Sequence, residues 1–131
     1  MCPEKSIYLP QVATITKAEM MTSVDRYFEF SLIGEKDLGH KPGQFAEISI
    51  PGIGEAPISI SSSPHLHGKF EMVIRNVGVV TNALHKLNVG DAVGVRGPYG
   101  SHFPMEKIKG KDLLFVSGGI GLVPMRSAIH Y

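Results

Sequence analysis

Four short stretches carry side chains whose types and spacing suit ligand chemistry. In Glu55-Ala56-Pro57-Ile58-Ser59-Ile60-Ser61-Ser62, an extended backbone turns Ile58 and Ile60 to one face and Ser59 and Ser61 to the other. A planar, flavin-like ring needs an apolar surface against its face and hydrogen bonds at its polar edge. Ala56, Pro57, Ile58 and Ser59 can supply both, and a serine-rich strand end is the plainer alternative. Arg75-Asn76-Val77-Gly78-Val79-Val80-Thr81 leads into a helical pattern. A helix start offers unpaired N–H groups and partial positive charge to a phosphate. Gly78 permits a tight turn there, Thr81 can donate its hydroxyl, and Arg75 can pair with a diphosphate through its planar fork. An ordinary strand–loop–helix with a capping threonine reads equally well. Gly97-Pro98-Tyr99-Gly100 ends a strand and offers Tyr99 as a stacking surface, although a structural β-turn around a packed tyrosine is the favoured reading. Gly118, Gly119 and Gly121 follow an apolar run and would let the backbone approach a pyrophosphate. Their spacing is not the Gly-x-Gly-x-x-Gly fingerprint.

Other reactive side chains do not assemble into a site. His65 and His67 lie two apart without a cysteine or carboxylate cluster beside them, so a surface loop is favoured over a metal site. Cys2 is the only cysteine and cannot form an internal disulfide or a metal cage. No Ser-His-Asp or Cys-His arrangement points to a hydrolase. No metal site is expected.

The elements that must position these groups read as mainly β. Fifteen glycines and nine prolines punctuate short apolar runs. Strands are expected at Tyr8–Ala18, Tyr27–Leu32, Phe45–Ile50, Pro57–Ser62, Phe70–Arg75 and Ala92–Gly97. One short helix is expected over Asn82–Leu87, capped by Thr81 and ended before Gly90. Six strands at even spacing predict a closed antiparallel barrel or a sandwich. The pattern then changes: Asp112–Ser117 is continuously apolar, as in a strand of a parallel sheet buried on both faces. A glycine turn and a helical Met125–Tyr131 follow, which is the opening unit of a doubly wound nucleotide-binding domain. One such unit cannot cover both faces of a sheet, so a continuation is expected.

Composition narrows the classes. The 131 residues suffice for one domain with a core but not for two full domains. Forty-three per cent are apolar, and 13 basic residues face 12 acidic ones, so no basic field exists to drive nucleic-acid binding. No stretch reaches the roughly 20 apolar residues of a spanning helix, and Met1–Pro10 has no continuous apolar run of a signal peptide. A cytoplasmic protein without a membrane span is expected.

The order of the stretches says more than any one of them. Pro42-Gly43-Gln44-Phe45, Ala56-Pro57-Ile58-Ser59, Arg75 to Thr81, Gly97-Pro98-Tyr99-Gly100 and Gly118-Gly119-Ile120-Gly121-Leu122-Val123-Pro124 together resemble the ferredoxin–NADP reductase superfamily, from about residue 8 to the end. Within it, the chain resembles sulfhydrogenase gamma subunits, the B-type subunit of anaerobic sulfite reductase, the electron-transfer subunit of dihydroorotate dehydrogenase and flavin subunits serving heterodisulfide reductase. The resemblance implies a six-stranded antiparallel Greek-key barrel holding FAD over residues 1–108, and the start of an NAD(P)-binding domain over residues 109–131. It implies that Ser59 bonds the isoalloxazine edge, that Pro57 and Ile58 line the ring, and that Val73, Ile74 and Arg75 run along the ribityl and phosphate region. Gly78 to Thr81, including Val80, would hold the pyrophosphate, and Gly118 to Gly121 would begin the nicotinamide-nucleotide site. The family's arginine is Ala56 here and its tyrosine is Ile58, so a phosphate contact and a stacking ring are missing. The implied activity is electron transfer between NAD(P)H and an iron–sulfur partner, such as a hydrogenase or reductase subunit, through FAD. A [2Fe–2S] centre would belong to a C-terminal region beyond these residues. A flavin-less binding or assembly subunit is the alternative, and a nucleic-acid-binding barrel is disfavoured by the charge balance.

Overall fold

Alternating apolar residues build six antiparallel strands in the computed structural model, which describes residues 6–131; the reading of Cys2 lies outside them. The strands are β1 (Gln11–Met20), β2 (Asp25–Leu32), β3 (Phe45–Ile50), β4 (Gly54–Ser59), β5 (Phe70–Arg75) and β6 (Ala92–Tyr99). They form one sheet in the order β4-β3-β6-β1-β2-β5. Period-2 alternation is cleanest in β5, where Phe70, Met72 and Ile74 face the core and Glu71, Val73 and Arg75 face outward. The core gathers Ile15, Phe28, Phe30, Ile48, Ile60, Phe70, Met72, Ile74, Leu84 and Val95. Phe30 is at its centre, fully buried, with its ring 5.7 Å from that of Phe28 and 5.3 Å from that of Phe70.

The two terminal strands of the sheet, β4 and β5, come together and roll it into a barrel. They join at one end only. After β4 the chain passes from β3 to β5: Ile60 N donates to Gln44 O at 3.2 Å, and Ser61 N donates to Glu71 O at 2.9 Å. Glu71 N in turn donates to Ser62 Oγ at 3.0 Å. The expected fourth strand, Pro57–Ser62, is therefore shifted. It begins at Gly54, opposite Ile50, and gives way at Ile60 to this crossing segment.

The helix between β5 and β6, α1 (Val79–His85), starts earlier than expected, with Gly78 as its N-cap. Thr81 is therefore not the cap residue. It lies inside the first turn, and its hydroxyl reaches back to the backbone before the helix. Leu84 plugs the barrel core. Arg26 Nη1 donates to the carbonyls of His85 and Leu87, and His85 Nε2 donates to Ile74 O at 2.7 Å, fixing the helix end to β2 and β5. Gly90 does not end the helix, which stops at His85 with Lys86 as its C-cap. It serves the turn into β6, with a φ of 95° and its N–H donating to Ile15 O.

The apolar run Asp112–Ser117 differs from expectation. Its backbone joins no ladder, and Leu114 and Val116 are exposed, because a strand of a parallel sheet needs neighbours on both sides and none lies among the described residues. The helix after the glycine turn does form. A 3-10 turn (Gly119–Gly121) leads into α3 (Leu122–Ile129), preceded in the chain by a short α2 (Met105–Ile108). α3 docks on the β4–β5 seam: Arg126 pairs with Glu71 and donates to Ser61 O, and Ser127 Oγ donates to Ser62 O at 2.6 Å. The same Ser62 carbonyl accepts from His40 Nε2 at 2.9 Å. Among the described residues no helix is long and apolar enough to cross a membrane.

Two outcomes follow from this packing. Phe30→Ala is expected to lower the unfolding free energy by about 3–5 kcal/mol in urea denaturation, the cost of an aromatic-sized void at a fully buried position. Burial pushes the His40 imidazole below its ordinary pKa, so the folded chain holds that proton less tightly than the unfolded one. The stability contributed by the neutral ring is complete above about pH 6.5 and is lost as the pH falls below it. The melting temperature is expected to drop as the pH falls from about 6.5 to about 5.5, and to drop less in His40→Gln, whose amide can still donate to Ser62. Equal drops in both proteins would assign the pH dependence to other groups.

Candidate functional site

Where β4 and β5 fail to meet, a cavity of about 460 Å³ opens. It is lined by Ala56, Pro57, Ile58 and Ser59 of β4, by Val73, Ile74 and Arg75 of β5, by Val77 and Thr81 around the start of α1, and by Ile120, Gly121, Val123 and Pro124 at the head of α3. Each wall follows from a local rule. β4 and β5 are the ends of the sheet, so both present backbone N–H and C=O groups without a ladder partner on the facing side. The crossing segment at residues 60–62 ties them at one end and leaves the other end splayed. The docking of α3 then brings Ile120, Val123 and Pro124 over the gap.

Three stretches singled out in the sequence are thus brought together: Ala56–Ser59, the Val73–Arg75 segment with Thr81, and Gly121. The structure does not bring the remaining candidates to the cavity. Gly78 is exposed and Val80 packs against the core. Gly118 and Gly119 lie exposed before α3. Tyr99 is directed elsewhere: its hydroxyl donates to Ile7 O at 3.0 Å and its ring packs 6.0 Å from that of Phe45. Its turn is locked to the Pro42-Gly43-Gln44-Phe45 turn by Gln44 Nε2, which donates to Gly100 O at 2.9 Å. Gly100 has a φ of 88°, and a Cβ there would stand 3.0 Å from the Phe45 ring, so glycine is required for close packing. These two motifs shape the barrel rather than the cavity. His67 donates to Asp37 at 2.8 Å on the surface, and the His65 ring lies 4.7 Å from that of Tyr131, tilted by 44°.

The polar groups at the cavity are already partly engaged. Thr81 Oγ1 accepts from Val77 N and Gly78 N, both at 2.9 Å. The Gly78 donor, in the stretch expected to hold a phosphate, and the Val77 donor before it are thus both engaged by the threonine, and α1 is only seven residues long. Arg75 makes a two-point contact with Asp25: Nε donates to Oδ1 at 2.8 Å and Nη2 to Oδ2 at 3.1 Å. Asp25 stands directly opposite Arg75 in the β2–β5 ladder. The Arg75 guanidinium holds the Asp25 carboxyl below its ordinary range, against the opposing effect of burial, with further help from Thr22. Among the described residues Arg75 is the one cationic side chain lining the cavity, and most of the wall is apolar.

Several wall residues, and the partner of Arg75, carry no signal in the sequence. Asp25 belongs to no motif, and only antiparallel register makes it the partner of Arg75. Ile120, Val123 and Pro124 sit in a stretch where the glycines are the conspicuous feature, and Val77 sits between two candidates.

The chain is similar to known proteins over nearly all its length. Residues 12–103 match the sequence model of the oxidoreductase FAD-binding domain. The gamma subunit of sulfhydrogenase 1 from Pyrococcus furiosus is 42% identical over 135 aligned positions, covering 100% of this chain and 46% of that subunit. A probable dihydroorotate dehydrogenase B (NAD(+)) electron transfer subunit from Methanocaldococcus jannaschii is 41% identical over 100 positions, covering 76% of this chain and 35% of that one. The chain thus spans less than half the length of either relative. Among solved structures, the Amycolatopsis cytochrome P450 reductase superposes with a TM-score of 0.78 at 26% identity, over 89% of this chain and 37% of its own.

The threonine bridge is testable without any ligand. Thr81→Val, which leaves two backbone donors without their acceptor, is expected to cost about 1–2 kcal/mol of stability in urea denaturation. Thr81→Ser is expected to retain most of it; equal losses in both variants would point to the methyl group instead.

Proposed function

The chain belongs to the oxidoreductase FAD-binding domain family, and from that premise we propose that it is the flavin-binding module of an NAD(P)H-dependent oxidoreductase that passes electrons to an iron–sulfur partner. The observation that carries this reading is the convergence of β4, β5 and the head of α3 on one apolar cavity. Its volume is within the range of about 300–1,000 Å³ common to cofactor pockets. Its walls suit a planar ring with a polar edge and an anionic tail. Ala56, Pro57, Ile58 and Val123 present apolar surface, Ser59 and the unpaired edges of β4 and β5 present hydrogen-bonding groups, and Arg75 presents a cation.

Bound there, FAD would supply the redox chemistry, accepting a hydride from NAD(P)H and releasing electrons singly to an iron–sulfur centre. The chain's own residues would bind and orient. Ser59 would bond the ring edge, Pro57 and Ile58 would cover a ring face, and Arg75 would meet the diphosphate. Val73 and Ile74 would flank the ribityl chain. Pro124, Val123 and Ile120, carried in by α3, would close the site against water. No side chain need act as an acid or a base.

Residues 109–131 read as the opening of an NAD(P)-binding domain, whose first strand would be Asp112–Ser117. With that strand unpartnered, the 131 residues by themselves are expected to bind flavin without oxidising NAD(P)H. The partner is read as a hydrogenase or reductase subunit carrying an iron–sulfur cluster, from the kinds of subunit the chain is similar to. The cytoplasm is the expected compartment, from the absence of a disulfide framework in the sequence. A flavin-less assembly subunit is the second reading. It is favoured by Ala56 and Ile58, which leave the cavity wall without the arginine and tyrosine of the resembled motif.

An absorbance spectrum after incubation with FAD and removal of the excess separates the two. The flavin reading expects a yellow protein whose visible flavin band is shifted from that of free FAD. A protein that stays colourless overturns it in favour of the assembly reading.

A further inference from the structure

We infer that Asp25 is a positioning residue, holding the Arg75 guanidinium at the edge of the cavity so that its remaining N–H groups meet the diphosphate of FAD. The inference rests on the flavin reading above and adds to it a residue on a strand that does not touch the cavity.

Polarity inside the cavity dictates where an anion can lie. The wall is mostly apolar, with Ser59 and Thr81 as its hydroxyls and Arg75 as its one cation among the described residues. Thr81 Oγ1 already accepts two backbone N–H groups and donates to Gly78 O at 3.2 Å. A ligand that combines a planar ring with a diphosphate therefore has one place for its charge, at Arg75. Ala56 lies on the facing strand and offers no competing cation.

An arginine alone on an edge strand would be a poor anchor. Its side chain carries much rotamer freedom, and that freedom must be given up on binding. Here it is given up on folding. Asp25 takes Nε and Nη2 in a two-point contact and leaves Nη1 outside it. The carboxylate is itself fixed. Thr22 Oγ1 donates to Asp25 Oδ2 at 2.9 Å, and Asp25 N donates back to Thr22 Oγ1 at 2.9 Å. The Asp25 carbonyl also accepts from Met21 N and Thr22 N, closing the turn between β1 and β2. The Asp25 side chain is only 12% exposed, whereas the Arg75 side chain is 40% exposed. The rigid partner thus lies on the barrel side and the presented edge faces outward. Pairing also offsets the arginine's charge, so the anion is held through directed hydrogen bonds rather than a diffuse field.

Affinities of the 131-residue chain for FAD and for riboflavin, which lacks the diphosphate, test the assignment by fluorescence titration. Arg75→Ala and Asp25→Asn are each expected to weaken FAD binding about ten- to hundredfold while riboflavin changes by less than about twofold. The double variant is expected to bind FAD no more weakly than Arg75→Ala alone, because Asp25 acts through Arg75. Thr22→Val keeps both charges and removes the hydroxyl that donates to the Asp25 carboxylate and accepts from Asp25 N and Val24 N; it is expected to weaken FAD alone by roughly threefold to tenfold, which gives a reading even if Asp25→Asn does not fold. FAD and riboflavin falling together would make Asp25 merely structural, and unchanged or tighter FAD binding in Asp25→Asn would overturn the inference outright. Wild-type chain that binds neither flavin would overturn the flavin reading, and this inference with it. Binding of both flavins, with Asp25→Asn making no distinction between them, would overturn the inference alone.

Discussion

A sheet rolled into a barrel has two edges to reconcile, and in this chain they are reconciled only in part. β4 and β5 are the ends of a six-stranded sheet, and they are joined by the crossing at residues 60–62 at one end and left apart at the other. Full pairing would satisfy every backbone group along the seam and leave no site. No pairing would leave a long exposed edge, prone to association. The partial closure leaves a gap whose backbone groups are directed into a cavity rather than into bulk water. The rest of the structure depends on it: α1 plugs the barrel below the gap, and α3 is held over it by Arg126 and Ser127.

The same seam joins the site to the second segment of the chain. Glu71, the residue whose carbonyl closes the barrel, also receives Tyr27 Oη–H at 2.9 Å and pairs with Arg126 of α3. Ser62 accepts from both His40 and Ser127. Closing the barrel and docking the helix therefore use the same few residues. Any shift of α3 would move Val123 and Pro124 relative to Ile58 and Ser59 across the cavity.

Much of the barrel is legible in the sequence because alternation of apolar residues is a local property. β3 and β5 occupy the residues expected of them, and β2 and β6 differ from expectation only at their ends. The departures share a cause, which is that each depends on a partner elsewhere in the chain. β4 starts earlier than its serines suggest, because the turn at residues 51–53 sets its beginning and pairing with β3 carries it forward. Thr81 has the look of a cap, as a threonine before an apolar helix does, although its hydroxyl serves the loop before the helix. Asp112–Ser117 has the apolar character of a strand, but a strand exists only with a neighbour to bond.

The sequence by itself determined the strand-forming segments, the sharp turns that require glycine, and the order of motifs that marks the family, since all of these are carried by residues close in the chain. Tertiary structure alone decided which motifs share a site. Tyr99 and Ala56 both look like cofactor residues, yet register places one against Phe45 and the other on the cavity wall. Asp25 belongs to no motif, yet it stands opposite Arg75 because two antiparallel strands bring residues 50 apart in the chain into register. The physical reason is that a strand's sequence specifies which face is buried, whereas its partner across the sheet depends on how the whole sheet rolls and where its edges fail to meet.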